Sequence, residues 1–197
     1  METNRSTVLA AARRIFLAKG YAGATVDAIA EEAGFSKGVV YSQFASKADL
    51  FLALLEARID ARAAQNERLV DEATGGAAMQ ALFENFDRDQ RAEVGWARLL
   101  IEFRTVALRD RKLNRRYAQT HARTIERLAD VLTRLQARSG LGSSVPPRTM
   151  AAFIAAFGAG AALERAADPD ALPSTVVAEM MSRALGFDTS DIREVVR

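Results

Sequence analysis

Residues 25–47 read TVDAIAEEAGFSKGVVYSQFASK. The pattern predicts a helix, a tight turn, a short second helix and the start of a third. Gly34 supplies the left-handed geometry that a sharp helix stop needs. Ala30, one turn earlier, puts a small side chain where two helices cross closely. Ser36 is placed to cap the second helix. That helix presents Lys37, Gly38, Tyr41 and Ser42 on one face and Val40 with Phe44 on the other. A short helix anchored along one side, with its polar edge free, is the reading head of a helix-turn-helix DNA-binding unit.

Outward from this stretch the chain reads as helix almost throughout. Residues 6–19 carry Val8, Leu9, Ala12, Ile15 and Phe16 at helical spacing, with a stop at Lys19-Gly20-Tyr21. Thr25 is a cap for the next helix, and Asp27 suits its positive end. Ser46-Lys47-Ala48-Asp49 resembles a capping box with Asp in place of Glu. It opens a helix striped by Leu50, Phe51, Leu54, Leu55 and Ile59 that runs past residue 65. After Gly75-Gly76, a fifth helix carries Met79, Leu82, Phe83 and Phe86, and a sixth carries Trp96, Leu99, Leu100, Phe103 and Val106. A seventh, at 111–138, carries Leu113, Tyr117, His121, Ile125, Leu128, Leu132 and Leu135. An eighth is expected at 148–167 and a ninth at 174–186, the latter with Val177, Met180, Met181, Ala184 and Leu185. Residues 187–197 read as a tail or one more turn. The expected fold is all-α: a three-helix head and a helical body, about nine helices in all. The expected division is 1–47 for DNA binding and 48–197 for ligand binding and dimerisation.

Composition narrows the function classes. The chain has 197 residues, 49% of them hydrophobic, which supports a sizeable core. The net charge is +2, a weak pointer to a polyanionic partner. There is no cysteine, so disulfides, thiolate metal sites and Cys nucleophiles are excluded. One histidine, His121, cannot make a multi-His metal site, and no cofactor is expected. No phosphate-cradling Gly-rich loop and no nucleophile motif is present, so an enzyme is disfavoured. Glu102, Arg104 and His121 are the only polar trio that invites the enzyme reading. No apolar run is read as long enough to span a membrane, and the N-terminus lacks a signal-peptide pattern. A cytoplasmic protein with no membrane partner is expected. The 4 lysines against 23 arginines suggest a GC-rich coding sequence.

The head resembles the DNA-binding domain of the TetR family of transcriptional regulators. The resemblance lies in Ile15-Phe16, Lys19-Gly20-Tyr21, Thr25-Val26, Ile29-Ala30, Ala33-Gly34, Ser36-Lys37-Gly38, Tyr41, Phe44 and Ser46-Lys47 with Leu50. It spans residues 8–55 nearly without gaps. LLIEFRTVALRDRKLNRRY (99–117) and AAFIAAFGAGAALERAADPD (151–170) are similar to segments of the family's later helices. The resemblance implies an all-helical homodimer whose heads bind a palindromic operator and whose bodies bind a small molecule that releases DNA. Val39, Ser42 and Gln43 depart from residues frequent in the family, and they fall at operator-reading positions.

Candidate DNA contacts follow. Tyr41 lies about 100° round the helix from Val40, so its hydroxyl is expected at a phosphate; the alternative is ordinary packing. Lys47 opposes the usual dipole preference of a helix start; it is expected at a phosphate, and the alternative is a solvated lysine. Thr25 follows the same logic. Lys37, Gly38, Val39, Ser42 and Gln43, just after the cap Ser36, are the expected base readers, with Gln43 suited to adenine and Val39 to a thymine methyl.

In the body, Trp96, Phe103, Tyr117 and Phe153 are the expected walls of an effector pocket, with Arg104 and His121 as its polar groups. For most aromatics, and for a lone His on an apolar stripe, plain core is the competing reading. In the eighth helix Met150, Phe153, Ile154, Phe157 and Ala161 make one apolar face, and Ala151, Ala152, Ala155, Ala159 and Ala162 make the others nearly apolar. A helix apolar all round must be covered on all sides, so a homodimer through helices eight and nine is expected. The reading is a repressor released by a mainly apolar ligand. The alternative is a helical interaction module or a ligand-blind DNA-binding protein.

Overall fold

The computed structural model describes residues 2–73, 76–92, 94–139 and 143–184. Among these the protein is all-helical: α1 (Glu2–Gly23), α2 (Val26–Ala33), α3 (Lys37–Tyr41), α4 (Lys47–Glu72), α5 (Gly76–Ala92), α6 (Val94–Ala107), α7 (Arg111–Ser139), α8 (Pro147–Ala167) and α9 (Ser174–Ala184). The first helix starts earlier than 6, and the stop expected at Gly20 is a kink inside α1. α3 is shorter than the expected 37–44. Leu185, residues 187–197 and Gly75 lie outside the described residues.

Local chemistry sets the helix ends of the head. Gly20 bends α1 at φ 71°, where L side chains rarely go, and a Cβ there would meet Glu102 Oε2 at 2.6 Å. Thr25 Oγ1 accepts the Ala28 N–H at 3.1 Å and caps α2. Gly34, at φ 71°, ends α2 in a left-handed turn, with the Phe35 N–H donated to the Ala30 carbonyl at 3.0 Å. Ser36 Oγ accepts the Val39 N–H at 3.4 Å and opens α3. Ser46 Oγ accepts the Asp49 N–H at 3.1 Å and opens α4.

The chain forms two compact units, Met1–Ile59 with Gly95–His121, and Asp60–Val94 with Ala122–Arg197. This partition differs from a cut at residue 47: α6 and the first turns of α7 belong with the head, and α4 and α7 each pass from one unit into the other.

The first unit is built round Phe51. Its ring stacks on Phe103 at 4.2 Å and on Trp96 at 5.9 Å, and meets Phe16 and Tyr21 edge-on at 5.5 and 5.4 Å. Val8, Ile29, Val40, Phe44, Leu50 and Leu99 complete this core. Val106, expected on the inner face of α6, is exposed; Ala107 is buried in its place.

The second unit packs Val70, Met79, Leu132, Leu135, Met150, Ile154 and Met181. α8 is turned differently from expectation. Its buried face is Met150, Ala151, Ile154, Gly158, Ala161, Ala162 and Arg165, whereas Phe153 is exposed. Arg165 Nη2 donates to Asp87 Oδ1 at 2.7 Å and to the Leu172 carbonyl at 3.0 Å. The expectation that no apolar run reaches membrane-spanning length is corrected as well: among the described residues α8 is long and apolar enough to cross a membrane, by length and composition only.

Candidate functional site

α3 is held from one side. Val40 and Phe44 are buried, while Lys37, Gly38, Tyr41 and Ser42 face outward, Tyr41 at 45% exposure. This is the arrangement expected from the spacing. Nothing in the fold demands glycine at 38, since a Cβ there would meet only Ser36 Oγ at 3.8 Å. The missing side chain leaves room on the outer edge.

Several of the polar groups on this edge have local partners. Lys37 Nζ pairs with Asp27 Oδ1 at 2.6 Å. That hydrogen bond and charge raise the Lys37 pKa, but both groups are exposed, so the pair exchanges readily for another anion. The Ser42 hydroxyl donates to the Val39 carbonyl at 2.8 Å, and Gln43 Nε2 donates to the same oxygen at 3.4 Å. Gln43 Oε1 is buried without a hydrogen bond. Val39 is half-buried, and Thr25 and Ser36 are exposed caps.

Lys47, expected at a phosphate, has partners within the head. Its ammonium donates to the carbonyl oxygens of Tyr21 at 2.7 Å, Ala22 at 3.3 Å and Ala24 at 2.9 Å. It also lies 4.7 Å from the centre of the Tyr21 ring. Three donors meet three acceptors, and burial lowers its pKa. Lys47 closes the carbonyl end of α1 and so holds the residue next to Thr25. From the other side, Glu102 on α6 accepts the Tyr21 N–H at 2.9 Å. Sequence spacing predicted neither contact, because the partners lie 23 to 26 and 81 residues away.

The six expected pocket residues are divided between the two units. Trp96, Phe103 and Tyr117 are buried in the first unit's aromatic core. His121 stacks on Tyr117 at 5.8 Å, and Arg104 lies over the same ring at 5.7 Å. Burial, then the Arg104 charge, lowers the His121 pKa. Glu102 is turned to Tyr21, so the trio with Arg104 and His121 is not a shared polar site. Phe153 lies in the second unit, exposed.

A cavity of about 60 Å³ lies in the second unit. Its apolar wall is Met79, Leu82, Phe83, Phe86, Leu128, Leu132, Leu135, Ile154 and Met181; Arg62, Asn66 and Asn85 are its polar groups. Asn85 is buried; it donates to Asn66 Oδ1 at 2.9 Å and accepts from Gln65 Nε2 at 2.8 Å. Arg62 Nη2 lies 2.6 Å from Asp89 Oδ2, yet that oxygen has no aligned donor. The one signal in the sequence is an Asn between the apolar positions Leu82, Phe83 and Phe86 of α5. Among the described residues no cluster of three or more metal-binding side chains occurs.

Residues 8–54 match the family profile described as "Bacterial regulatory proteins, tetR family", and residues 76–186 match that of "BetI-type transcriptional repressor, C-terminal". The chain belongs to the TetR family. The transcriptional repressor AcnR of Corynebacterium diphtheriae is 30% identical over 142 residues, which cover 72% of this chain and 68% of AcnR. The transcriptional activator FasR of Mycolicibacterium smegmatis is 33% identical over 95 residues, 46% of this chain; the chain spans only 43% of FasR's length. FadR from Bacillus subtilis, solved in complex with stearoyl-CoA, shares the fold with a TM-score of 0.69 at 17% identity, over 92% of this chain and 97% of that one. The TetR-family chain is thus a DNA-binding transcriptional regulator with a helix-turn-helix head and a helical body.

Proposed function

We propose that the chain is a homodimeric, cytoplasmic repressor that leaves a palindromic operator when a small, mainly apolar molecule enters the body. The observation that carries the DNA part is the anchored α3, with Val40 and Phe44 inward and Lys37, Gly38, Tyr41 and Ser42 outward. Tyr41, with the capped starts of α2 at Thr25 and α3 at Ser36, meets phosphates. Lys37, Gly38, Val39, Ser42 and Gln43 meet base edges; Ser42 and Gln43 release the Val39 carbonyl to do so. Lys47 acts through Thr25, by holding the junction that presents it. Residues 1–47 carry the operator-reading head, and 48–197 carry the effector and partner sites.

The effector reading is supported by the apolar wall and polar strip of the second unit. At about 60 Å³ the cavity is far below the ~300–1,000 Å³ of an occupied ligand site, so an effector must widen it. FadR, a protein of the same fold, is solved with stearoyl-CoA, an amphipathic molecule whose long acyl chain is apolar. α4 and α7, which continue into the head's unit, carry that widening. By linkage, an effector that lowers operator affinity is itself weakened by DNA to the same extent. The dimer is supported by apolar side chains left exposed on α8 and α9: Phe153, Leu163, Val176 and Met180.

The test is selection of bound sequences from a random duplex pool with the full chain. Recovery of an inverted repeat supports the reading, and recovery of no preferred sequence refutes it. Long-chain apolar acids and their thioesters are then titrated against the selected duplex. Release by one of them supports the effector class, while release only by small polar compounds refutes it.

A further inference from the structure

The stretch 109–116 reads RDRKLNRR, five cations and one acid at the corner where α6 passes into α7. Among the described residues, Arg116 is the one of these cations in an ion pair, with Asp49. Arg109, Arg111, Lys112 and Arg115 are exposed and meet no acidic partner among the described residues. The one local carboxylate, Asp110, is taken by the backbone N–H groups of Lys112 and Leu113 at 2.9 and 3.0 Å. Arg111, Lys112 and Arg115 therefore crowd like charges at i,i+3 and i,i+4 spacing, at the positive end of a helix. The fold gains nothing from that placement, and it leaves a cationic prow without a counter-charge.

Its direction follows from α4. Arg116 pairs with Asp49, and Thr120 Oγ1 donates to Glu56 Oε1 at 3.4 Å. Rising numbers on α7 face rising numbers on α4, so the two helices run parallel there. Arg111 lies five residues before Arg116, about 7 Å along the axis, while α4 starts only two residues before Asp49, about 3 Å. The start of α7 thus overshoots the start of α4 by about 4 Å. The start of α4 is tied through Lys47 to the junction that presents Thr25, the side the DNA reading assigns to the phosphate backbone.

We propose that Arg109, Arg111, Lys112 and Arg115 form a second, sequence-independent contact with the DNA backbone, outside the helix-turn-helix. This rests on the DNA-binding reading above. The contact positions the head and raises affinity for every duplex alike, because cations on phosphates carry no base information. It also places a DNA contact on the same helix that lines the cavity further along.

The test measures binding of the full chain to a mixed-sequence duplex as a function of salt. The variant Arg111→Gln/Lys112→Gln/Arg115→Gln should bind at least tenfold more weakly at low salt. Its slope of log affinity against log salt should be shallower by about 0.9 for each cation that meets a phosphate, roughly two to three in all. Arg111→Lys/Arg115→Lys, which keeps the charge, should retain the wild-type slope. Neutralising Arg68, Arg148 and Arg183 in the second unit removes equal charge and should leave the slope within about one of wild type. An unchanged slope in the corner variant, or an equal drop in the distant one, overturns the contact while wild-type binding upholds the DNA reading. Wild-type protein that binds no duplex at all overturns both. Loss of fold is no confounder: removing like charges at a helix start should leave the melting temperature unchanged or raised.

Discussion

The two units of this chain are packed to different standards. In the first, Phe51 is in ring contact with Phe16, Tyr21, Trp96 and Phe103, and among the described residues the one buried side-chain N or O atom without a hydrogen bond is Gln43 Oε1, at the edge of the reading head. The second unit holds a cavity, and with it Gln80 Oε1 and Arg165 Nε and Nη1, buried without a hydrogen bond among the described residues, and Asp89 Oδ2, which meets Arg62 without an aligned donor. Its last helices also leave Leu163 and Met180 at 54% and 62% exposure. A dense unit moves as one body. A unit with a void, orphaned donors and bare apolar faces has room for the effector within and the second chain outside that we propose.

The sharpest way to break this contrast is to remove an aromatic ring from each unit. Phe51→Ala deletes the centre of a filled cluster and should cost about 3–5 kcal/mol. Phe86→Ala sits beside an existing cavity and is only half-buried, so it should cost about 1–2 kcal/mol, since less packing is lost. Urea unfolding of both variants decides. Equal losses would mean that the cavity does not mark looser packing.

The next effect in size concerns Arg165. Its side chain is 5% exposed and that of Asp87 16%. Arg165→Met should cost roughly 3 kcal/mol, because Asp87 keeps a charge whose buried partner has gone. Arg165→Met/Asp87→Leu should recover most of that loss. A double variant no better than the single would show that Arg165 matters through its other contact, the Leu172 carbonyl.

Smaller again is the outer face of α8. Leu163→Glu should leave protomer unfolding unchanged and weaken dimerisation at least tenfold, about 1.4 kcal/mol. Ala162→Glu, on the buried face, should damage both. Sedimentation alongside thermal melting separates them. A monomeric wild type at micromolar concentration would remove the second chain from the account.

What could be read from sequence alone was local. Thr25, Gly34, Ser36 and Ser46 each act on a backbone group within five residues, and periodic stripes such as Leu113 to Leu135 on α7 need only their own helix. What could not be read needed distant partners. Lys47 looks like a free cation until Tyr21, Ala22 and Ala24 arrive beside it. Trp96 and Phe103 fit a pocket wall or a core equally well; Phe51 from α4 and Phe16 from α1 fill the space and decide for core. Phe153 misled for another reason. α8 is apolar round its whole circumference, so periodicity cannot say which face turns inward, and the buried set of Ala151, Ile154, Gly158 and Ala162 is as regular as the one expected. The cavity's polar groups are on three positions of two helices, and no spacing rule joins Arg62 and Asn66 to Asn85.

The smallest effect probes a latch in the dense unit against an open pair in the loose one. At the start of α4 the Ser46 hydroxyl donates to Asp49 Oδ2 at 2.7 Å, while the Arg116 guanidinium holds Oδ1. Burial pushes the Asp49 pKa up, but the Ser46 and Arg116 bonds and the Arg116 charge outweigh it, so the pKa is lowered overall. A carboxylate whose pKa is lower when folded stabilises the fold above its unfolded value, near 4. That contribution is lost as the pH falls below it, through the folded value. Asp49→Asn should therefore be less stable than wild type at neutral pH by about 0.5–1 kcal/mol, discounted because the pair is only partly buried. The two urea midpoints should converge as the pH falls below about 4. Glu126→Gln, which breaks the pair with Arg148 on a face where both side chains are more than half exposed, should change nothing measurable at any pH. A gap for Asp49→Asn that stays constant with pH would show that the latch works by shape rather than charge. Arg116 would then hold α7 beside α4 by packing alone, and its direction, not its ion pair, would be what aims the cationic corner.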